Sequence, residues 1–224
     1  MPVYHLLDDL IFPHPSLADP SGLLAVGGDL SVDRLLLAYA NGIFPWYSEK
    51  DPIMWWSPDP RTILFPHKLK VAKSYRQTLR NKEYEIKFDE DFESIIKECA
   101  QTQRPGQPGT WITSDMIKAY AELHNQGYAH SVEVYMDHKL VGGLYGVSIG
   151  AAFFGESMFY KVRDASKIAL WHLVEKIKEW DFKFIDAQMD TDHIKRLGAE
   201  NIPRESFLNL LNEALKFPTV NGKW

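Results

Sequence analysis

The sequence predicts an α+β fold in which an irregular N-terminal region precedes a mixed β-sheet with helices. Residues 1–62 are rich in Pro and Gly and show no clean alternation of apolar and polar side chains. From His130 onward, apolar residues recur with the period of two that is typical of strands. These strands are interleaved with helical patterns in the order β-β-β-α-β-α. We therefore expect a small domain over residues 1–62 and a larger one over 63–224.

Composition and charge exclude several classes of protein. The chain has 224 residues, of which 45% are apolar and 25% charged, as in an ordinary soluble globular protein. These proportions exclude disordered, collagen-like and coiled-coil proteins. A net charge of −5 excludes a basic coat over the whole surface. The single cysteine excludes an intramolecular disulfide and a cysteine-based zinc site, and it fits a reducing compartment.

One helix stands out in the N-terminal region. Ser31 is placed to cap it, the apolar body runs from Leu35 to Tyr39, and Gly42 follows its end. The aromatic-rich segments that follow, among them IFPWY at 43–47, predict a small domain held together by aromatic packing.

A basic segment follows at residues 61–82. It predicts a helix from about His67 to Lys82, in which Lys73, Arg76 and Arg80 share one face. The segment contains no acidic residue and seven basic ones: Arg61, Lys68, Lys70, Lys73, Arg76, Arg80 and Lys82. Because charges of one sign repel each other, this concentration favours a phosphate-binding surface over a merely solvated helix face.

Two further helices precede the strands. The first is predicted over residues 91–101, with apolar residues at helical spacing: Phe92, Ile95, Ile96 and Cys99. After a loop, Thr113 or Ser114 caps the next helix, which ends before Gly127. Its inward face is formed by Met116, Tyr120 and Leu123.

The strands begin with HSVEVYM at 130–136. The uncharged stretch at 140–155 is shorter than the roughly 20 apolar residues of a membrane-spanning helix, and it contains five glycines. It therefore predicts two buried strands joined by a turn. The N terminus lacks the basic and apolar regions of a signal peptide, so we expect a cytoplasmic protein without a membrane partner.

The C-terminal part alternates helices with one more strand. Asp164 opens a helix whose apolar face consists of Leu170, Leu173, Val174 and Ile177. The segment FKFIDAQ at 182–188 predicts a strand, and TDHIKRLG at 191–198 a short helical turn. The last helix buries Phe207, Leu210, Leu211 and Ala214.

Polar side chains end two of the apolar strands. Glu156 ends one, and Asp186 and Gln188 end another. Ligands of open sheets bind at the carboxyl ends of strands, where burial raises the pKa of a carboxyl group enough for it to act as a base. Capping of a following helix is the structural alternative for Asp186.

Other motifs favour structural interpretations. The pattern from Gly146 to Gly150 matches the G-x-S-x-G of serine hydrolases, but a strand follows where that motif needs a helix. Cys99 lies on an apolar helix face, which indicates a core position. Asp190, Asp192 and His193 could together suggest a metal site. Helix capping and first-turn acids explain the two aspartates as well, so no metal is expected.

Trp46 and Trp111 lie in predicted loops beside Pro and Gly. Core packing and stacking on a nucleotide base both remain open for them.

Taken together, these segments resemble the bacterial leucyl/phenylalanyl-tRNA–protein transferases over nearly the whole chain. The motifs that carry the resemblance, in order, are GLLAVGGDLS at 22–31, AYANGIFPWY at 38–47, PIMWWSPDPR at 52–61, GTWIT at 109–113, HSVEV at 130–134, VGGLYGV at 141–147, FFGESMF at 153–159, ASKIAL at 165–170, FIDAQ at 184–188 and LGAENIPR at 197–204.

The resemblance implies an activity and a fold. Such enzymes transfer Leu or Phe, and less well Met, from a charged tRNA to the N-terminal Arg or Lys of proteins, which marks these for N-end-rule degradation. The C-terminal domain would be similar to the acetyltransferase (GNAT) fold. The acetyltransferase pyrophosphate loop is absent between Phe154 and Lys167, so neither acetyl-CoA nor another cofactor is expected.

The resemblance also implies roles for individual residues. Asp186 would draw the proton from the acceptor amine, Gln188 would relay it, and Glu156 would hold the aminoacyl end. The side chain of Leu or Phe would be enclosed by Leu144, Phe153, Leu170, Leu173 and Ile185, with Ser157 nearby. Trp46 and Trp111 would stack on or enclose the terminal adenosine. The acceptor stem would contact Lys70, Lys73, Arg76 and Arg80.

Two other functions remain open at this stage. One is an acyl-CoA-dependent N-acetyltransferase of the same fold. The other is a non-catalytic tRNA-binding module, which would account for the basic helix and the loop tryptophans but would leave the polar strand-end residues without a role.

Overall fold

The computed structural model describes residues 3–70, 84–102 and 110–224. Within them it contains a four-stranded sheet, a seven-stranded sheet and helices on both faces of the larger sheet. The predicted α+β class is confirmed.

The smaller sheet lies in the N-terminal region and has the strand order β1-β2-β4-β3. Its strands are β1 (Tyr4–Leu6), β2 (Leu23–Gly27), β3 (Phe44–Pro45) and β4 (Met54–Trp56). The sequence did not predict this sheet, because strands of two to five residues are too short to show an alternating pattern. Aromatic packing is nonetheless present, since the Trp55 side chain is fully buried and contacts Phe12 edge to face.

The predicted N-terminal helix is confirmed as α1 (Val32–Ala40). The Ser31 side chain accepts a hydrogen bond from the backbone N–H of Arg34, as the capping pattern predicts. Helix α1 buries Leu35, Ala38 and Tyr39, and the last of these contributes to the site described below.

The larger sheet has the strand order β11-β5-β10-β9-β8-β7-β6. Every neighbouring pair is antiparallel except β9 and β10, so the sheet is mixed as predicted. Its strands are β5 (Arg61–Leu64), β6 (Glu85–Phe88), β7 (Ala129–Met136), β8 (Lys139–Ile149), β9 (Ala152–Tyr160), β10 (Phe184–Gln188) and β11 (Glu200–Ile202). The predicted strands correspond to β7 to β10, whereas β5, β6 and β11 were missed because each has only three or four residues.

Two apolar cores cover the opposite faces of the larger sheet. Helices α2 (Phe92–Gln101) and α3 (Ser114–Asn125) pack on one face, and α4 (Ala165–Glu179) packs on the other. Neighbouring residues of one strand therefore serve different cores, as Leu144 and Tyr145 of β8 do. Any side chain at Gly142 or Gly143 would collide with Ala165 of α4 or Ile95 of α2, so these two glycines allow both helices to approach β8.

The remaining helices are α5 (Asp192–Arg196) and α6 (Arg204–Ala214). Helices α2 to α6 confirm the sequence predictions, and Thr113 is the cap of α3. The helix predicted from about His67 to Lys82 is wrong in its described part, because the 3-10 turn at Pro66–Lys68 ends at the extended Leu69; residues 71–82 lie outside the described residues.

Residues 140–155 form two strands and a turn, as predicted. In the part of the chain that the structure describes, no helix is both long enough and apolar enough to cross a bilayer.

Candidate active site

A cavity opens where the two parallel strands of the larger sheet separate. Strands β9 and β10 pair from Ala152 and Phe184 as far as Phe154 and Asp186. Beyond that point β9 continues to Tyr160 without β10 beside it. The resulting cavity has a volume of about 480 Å³. Strand separation in a sheet thus creates a binding site without interrupting the core below it.

The lining of this cavity is mainly apolar. It contains all eight residues that the resemblance implies for substrate binding: Trp46, Trp111, Leu144, Phe153, Ser157, Leu170, Leu173 and Ile185. They come from the larger sheet, from the residue that follows β3, from α4 and from the segment before α3, so only the fold brings them together.

Both loop tryptophans also pack against the core. Trp46 contacts Trp56 edge to face at a ring-centre distance of 5.6 Å, and Trp56 Nε1 donates a hydrogen bond of 2.6 Å to the Trp46 carbonyl oxygen. Trp111 is likewise half-buried against the core. The two interpretations left open by the sequence are therefore compatible, since each ring has one side on the core and also lines the cavity.

A β-bulge directs Glu156 into this region. Tyr145 of β8 pairs with Ser157 and the next residue, Gly146, pairs with Gly155, which leaves Glu156 as an extra residue of β9. Such a bulge turns a side chain out of the regular alternation of a strand. Glu156 lines the cavity but is only 8% exposed.

The Glu156 carboxylate accepts hydrogen bonds from three side chains. Tyr39 Oη and Gln188 Nε2 each lie 2.8 Å from Oε1, and Tyr120 Oη lies 3.2 Å from Oε2. The hydroxyls of Tyr39 and Tyr120 also form a hydrogen bond with each other. Burial raises the pKa of Glu156 to about 7, although the hydrogen bonds from its three partners act in the opposite direction.

A second bulge places Gln188. Asp186 of β10 pairs with Ile63 of β5, and Gln188 pairs with the adjacent Thr62, so that Ala187 is extra. Gln188 has a φ of 60°, which is the left-handed conformation. Its backbone N–H donates to Asp186 Oδ1 at 2.9 Å, while its side chain reaches Glu156.

Asp186 lies one layer below the cavity and does not line it. Its two oxygens accept hydrogen bonds from Arg61, with Nε at 2.9 Å and Nη2 at 2.6 Å. Both side chains are completely buried. The Arg61 guanidinium also donates to the Gly42 carbonyl oxygen and lies between the rings of Phe44 and Phe207. Asp186 therefore contacts the cavity residues through Gln188.

Arg61 is the residue that the sequence interpretation misplaced. It was counted in the basic segment, but the structure buries it in an ion pair, because the positive charge of Arg61 compensates Asp186 inside the core. The sequence did carry a signal for the burial of Arg61, since this residue begins the run RTIL, whose four residues are all buried in the structure. The segment therefore offers six basic residues, rather than seven, to a phosphate surface.

Among the residues expected to contact tRNA, Lys70 lies within the described part of the chain and is exposed. Its backbone N–H donates to the Leu197 carbonyl oxygen at 2.9 Å, which places it beside the end of α5. Lys73, Arg76 and Arg80 lie outside the described residues.

The MDTDH segment forms one rim of the cavity, which the sequence interpretation missed. Asp190, Thr191 and His193 all line it. Asp192 lies in the first turn of α5, as expected for a first-turn acid, but the cap is Thr191 rather than Asp190. Asp190 instead pairs with Lys195 at 2.7 Å. Within the described ranges, no group of side chains is arranged to bind a metal ion. The position of this segment, directly after the polar end of β10, was a signal that it would face the same opening.

The structural interpretations of the other motifs are confirmed. Ser148 lies in β8, which turns directly into β9, so the strand–helix context of a hydrolase nucleophile is missing. Cys99 is fully buried in the core.

Comparison with protein families gives two matches to this chain. A family described as leucyl/phenylalanyl-tRNA protein transferase matches residues 63–212. The N-terminal domain of the same enzyme family matches residues 28–59.

Two curated relatives show the extent of the similarity. Leucyl/phenylalanyl-tRNA–protein transferase of Myxococcus xanthus is 55% identical over 226 residues, which cover 100% of this chain and 97% of the relative. The protein of the same name from Thermodesulfovibrio yellowstonii is 56% identical over 224 residues, covering 100% and 91%.

Solved structures with a similar arrangement include acetyltransferases. An aminoglycoside acetyltransferase from an uncultured soil sample has a TM-score of 0.39 and 13% identity, over 52% of this chain and 85% of that one. A ribosomal-protein-alanine N-acetyltransferase from Brucella melitensis has a TM-score of 0.39 and 17% identity, over 50% and 86%. At these values the likeness concerns the fold only.

Proposed function

Because the chain belongs to the leucyl/phenylalanyl-tRNA–protein transferase family, we propose that its cavity binds the leucyl or phenylalanyl group of an aminoacyl-tRNA and passes it to the N-terminal Arg or Lys of an acceptor protein. The chain is an aminoacyltransferase. The acceptor side chain, the preference for Leu and Phe, and the marking of the product for degradation belong to the proposal.

One observation carries this proposal: an apolar cavity of about 480 Å³ adjoins a buried carboxyl and a buried amide. Its volume lies within the range of small-ligand sites. Leucine and phenylalanine present an apolar side chain without a branch at Cβ, which fits a lining of Leu, Ile and Phe residues. Since one methylene changes binding by only about 1–3 kcal/mol, we expect weaker transfer of methionine as well.

The reaction places two demands on the site. The aminoacyl ester is already activated, so peptide-bond formation needs no ATP. The attacking α-amine has a pKa of about 8 and must lose a proton. Its nitrogen bonds to the ester carbonyl carbon while the bond to the ribose oxygen breaks. Groups that accept a proton and stabilise the oxyanion must therefore be close to the ester.

Glu156 and Gln188 line the cavity and are the groups placed to meet these demands. We assign Gln188 the relay between the reacting groups and the buried Asp186, because its side chain and its backbone N–H contact Glu156 and Asp186, respectively. Asp186, held by Arg61, orients Gln188 and supplies negative charge below the site.

The tRNA would approach over the surface next to α5. Trp46 and Trp111 are placed to enclose the terminal adenosine, since both line the cavity. Lys70 would contact the acceptor stem from beside Leu197, and the basic stripe of Lys73, Arg76 and Arg80 would extend that contact along the phosphates. Charged tRNA and its protein acceptors place the activity in the cytoplasm.

The test is transfer of label from radioactive Leu-tRNA to an acceptor protein with N-terminal Arg. A matched acceptor with N-terminal Ala is the negative control, and coenzyme A is added as a competitor. We expect transfer to the Arg acceptor alone, abolished by Gln188→Ala and unchanged by Ser148→Ala or coenzyme A.

Other outcomes would point elsewhere. Inhibition by coenzyme A together with acetyl transfer would indicate an acyl-CoA-dependent N-acetyltransferase. Tight tRNA binding without transfer would indicate a non-catalytic tRNA-binding module.

A further inference from the structure

We propose that Glu156, Tyr39 and Tyr120 form a closed hydrogen-bonded ring that takes up the proton of the attacking amine and returns it to the ribose oxygen of the tRNA. This inference rests on the proposed transfer reaction. It assigns the proton transfer to Glu156, with the two tyrosines as positioning residues, instead of to Asp186.

The ring joins three separate elements of the fold. Tyr39 comes from α1, Tyr120 from α3 and Glu156 from the bulge of β9. The two tyrosines are completely buried, whereas Glu156 lines the cavity. Each of the three groups contacts the other two: Tyr39 reaches Oε1 at 2.8 Å, Tyr120 reaches Oε2 at 3.2 Å, and the two hydroxyls are bonded to each other.

Counting protons shows what this ring requires. Three oxygen–oxygen contacts need three protons if each contact is to be a hydrogen bond. The two tyrosine hydroxyls supply only two. The third is supplied when Glu156 is protonated, because its carboxyl group then donates to one tyrosine and accepts from the other. When Glu156 is ionised, one contact between oxygens has no hydrogen. The ring is therefore built to accept one proton.

The electrostatic surroundings keep this proton exchangeable. Burial raises the pKa of Glu156 to about 7, so that both of its forms are populated at neutral pH. Burial and the nearby Glu156 raise the pKa of both tyrosines well above the ordinary value, so these keep their protons. The other titratable groups that face the ring are Tyr145, which contacts the Tyr120 ring, and Asp186, which is paired with Arg61.

The buried Asp186 is a poorer acceptor on geometric grounds. Both of its oxygens are occupied by Arg61, and one also accepts the backbone N–H of Gln188. It does not line the cavity. Among the described residues, Glu156 Oε2 accepts one hydrogen bond, of 3.2 Å from Tyr120, which leaves its second lone pair available to the cavity side.

The proton balance of the reaction is then complete. Ionised Glu156 accepts the N–H proton as the amine nitrogen bonds to the ester carbonyl carbon. The proton is held in the ring while the carbon–oxygen bond to the ribose breaks. Glu156 then donates it to the ribose oxygen, which leaves as the hydroxyl of the deacylated tRNA, and the ring returns to its starting state.

The test is the pH dependence of single-turnover transfer from Leu-tRNA to an Arg acceptor. Below neutral pH, transfer by the natural protein requires both a deprotonated acceptor amine and an ionised Glu156. The logarithm of the transfer rate should therefore rise with pH at a slope of about two. In Glu156→Gln only the amine remains, so the slope should fall by about one, and transfer at pH 7 should slow by about 100-fold or more.

Tyrosine variants separate the ring from general structural effects. Tyr39→Phe removes a hydrogen bond that lowers the pKa of Glu156, so the acidic limb should move to higher pH with its slope retained. Tyr47→Phe is the matched control, since it removes another buried tyrosine hydroxyl, bonded to Thr113 and outside the ring. Its pH profile should equal that of the natural protein.

Infrared spectroscopy tests the ring without catalysis. A protonated-carboxyl band should titrate near pH 7 and be missing in Glu156→Gln. Glu133, whose pKa burial also raises to about 7, gives a second such band, which Glu133→Gln removes.

The proposal is overturned if a folded Glu156→Gln protein keeps the pH slope of the natural protein. It is also overturned if this slope falls by one in Asp186→Asn and not in Glu156→Gln. His193 lines the same cavity. If the slope of the pH profile falls by one in His193→Gln and not in Glu156→Gln, the base is His193 instead. Absence of transfer by the natural protein at every pH would contradict the proposed function itself.

Discussion

At the scale of single residues, buried charge decides how the site is organised. Arg61 and Asp186 form an ion pair with no exposure, and Glu156 is held by neutral donors. The guanidinium fixes the orientation of the Asp186 carboxylate, whereas burial among hydroxyls and an amide raises the pKa of Glu156 to about 7. Two carboxyl groups in one site thus have different chemistry because their partners differ.

The first prediction concerns Asp186→Ala. It leaves the charge of Arg61 buried and unpaired, so the free energy of unfolding should fall by about 3–5 kcal/mol. Because Asp186 orients Gln188, turnover should also fall at least about 100-fold. Urea unfolding and label transfer measure the two effects.

A double variant separates stability from catalysis at this pair. Arg61→Met with Asp186→Leu replaces the buried pair by apolar side chains of similar size and should recover most of the lost stability, but not the transfer. A loss of turnover below tenfold in a folded Asp186→Ala protein would contradict a role for this carboxylate.

The second prediction concerns Glu133 of β7, which is fully buried and whose Oε2 has no hydrogen-bond partner among the residues that the structure describes. Burial raises the pKa of Glu133 to about 7 from the ordinary 4.5. Between these values the folded protein holds a proton that the unfolded chain releases. The resulting stability is complete below pH 4.5 and is lost as the pH rises through 7.

Glu133→Gln should therefore stabilise the protein at pH 8, by roughly 1–3 kcal/mol, and have little effect near pH 4.5. Urea unfolding at the two pH values checks this. Equal effects at both pH values would show that folding does not raise the pKa of Glu133.

At the scale of elements, two bulges in neighbouring strands make the site. In a regular strand, side chains point alternately to the two faces of the sheet. An extra residue in β9 and another in β10 interrupt this alternation at the point where the two strands separate, and so change the directions of the Glu156 and Gln188 side chains. Bulges are frequent beside active sites because they redirect a side chain without ending the strand.

The third prediction tests the second bulge. Gln188 has a φ of 60°, where glycine is at ease and a β-branched residue is strained by about 1–2 kcal/mol. Gln188→Gly should stay within about 1 kcal/mol of the natural stability and lose transfer. Gln188→Val should lose both stability and transfer. Thermal unfolding and label transfer distinguish these outcomes, and equal destabilisation by Gly and Val would argue against the left-handed conformation.

Helices and strands differed in how far the sequence predicted them. The helices α1 to α6 carry apolar positions at helical spacing, and a side chain directly before α1, α2, α3 and α5 caps each of these four; all six helices were predicted. The short strands β1 to β6 and β11 have too few residues to show a period, and they exist because neighbouring strands complete their hydrogen bonds.

At the scale of the whole molecule, the site is assembled from distant parts of the chain. Trp46 and Tyr39 come from the N-terminal region, Trp111 and Tyr120 from the middle, and Gln188 from the C-terminal part. The formal net charge is −5, but the sequence contains a basic segment at 61–82, so a large polyanion would be attracted to that segment.

The fourth prediction concerns that attraction. Binding of tRNA should weaken steeply with salt, and Arg76→Ala and Arg80→Ala should each reduce the slope of log K against log salt by about 1. Filter binding at several salt concentrations measures this. Unchanged slopes in both variants would place the tRNA on another surface.

The α+β class, the helices α1 to α6 and the strands β7 to β10 follow from the sequence alone, and its ordered motifs also indicate the family and eight of the residues that line the cavity. These features are local, because caps, periods and motifs are contained in short stretches of chain. Tertiary packing, in contrast, makes Arg61 the buried partner of Asp186, keeps Asp186 below the cavity and joins Tyr39 and Tyr120 to Glu156 in one hydrogen-bonded ring. Hydrogen bonds between residues up to 125 positions apart, and bulges that break the strand period, depend on how elements pack rather than on any local pattern.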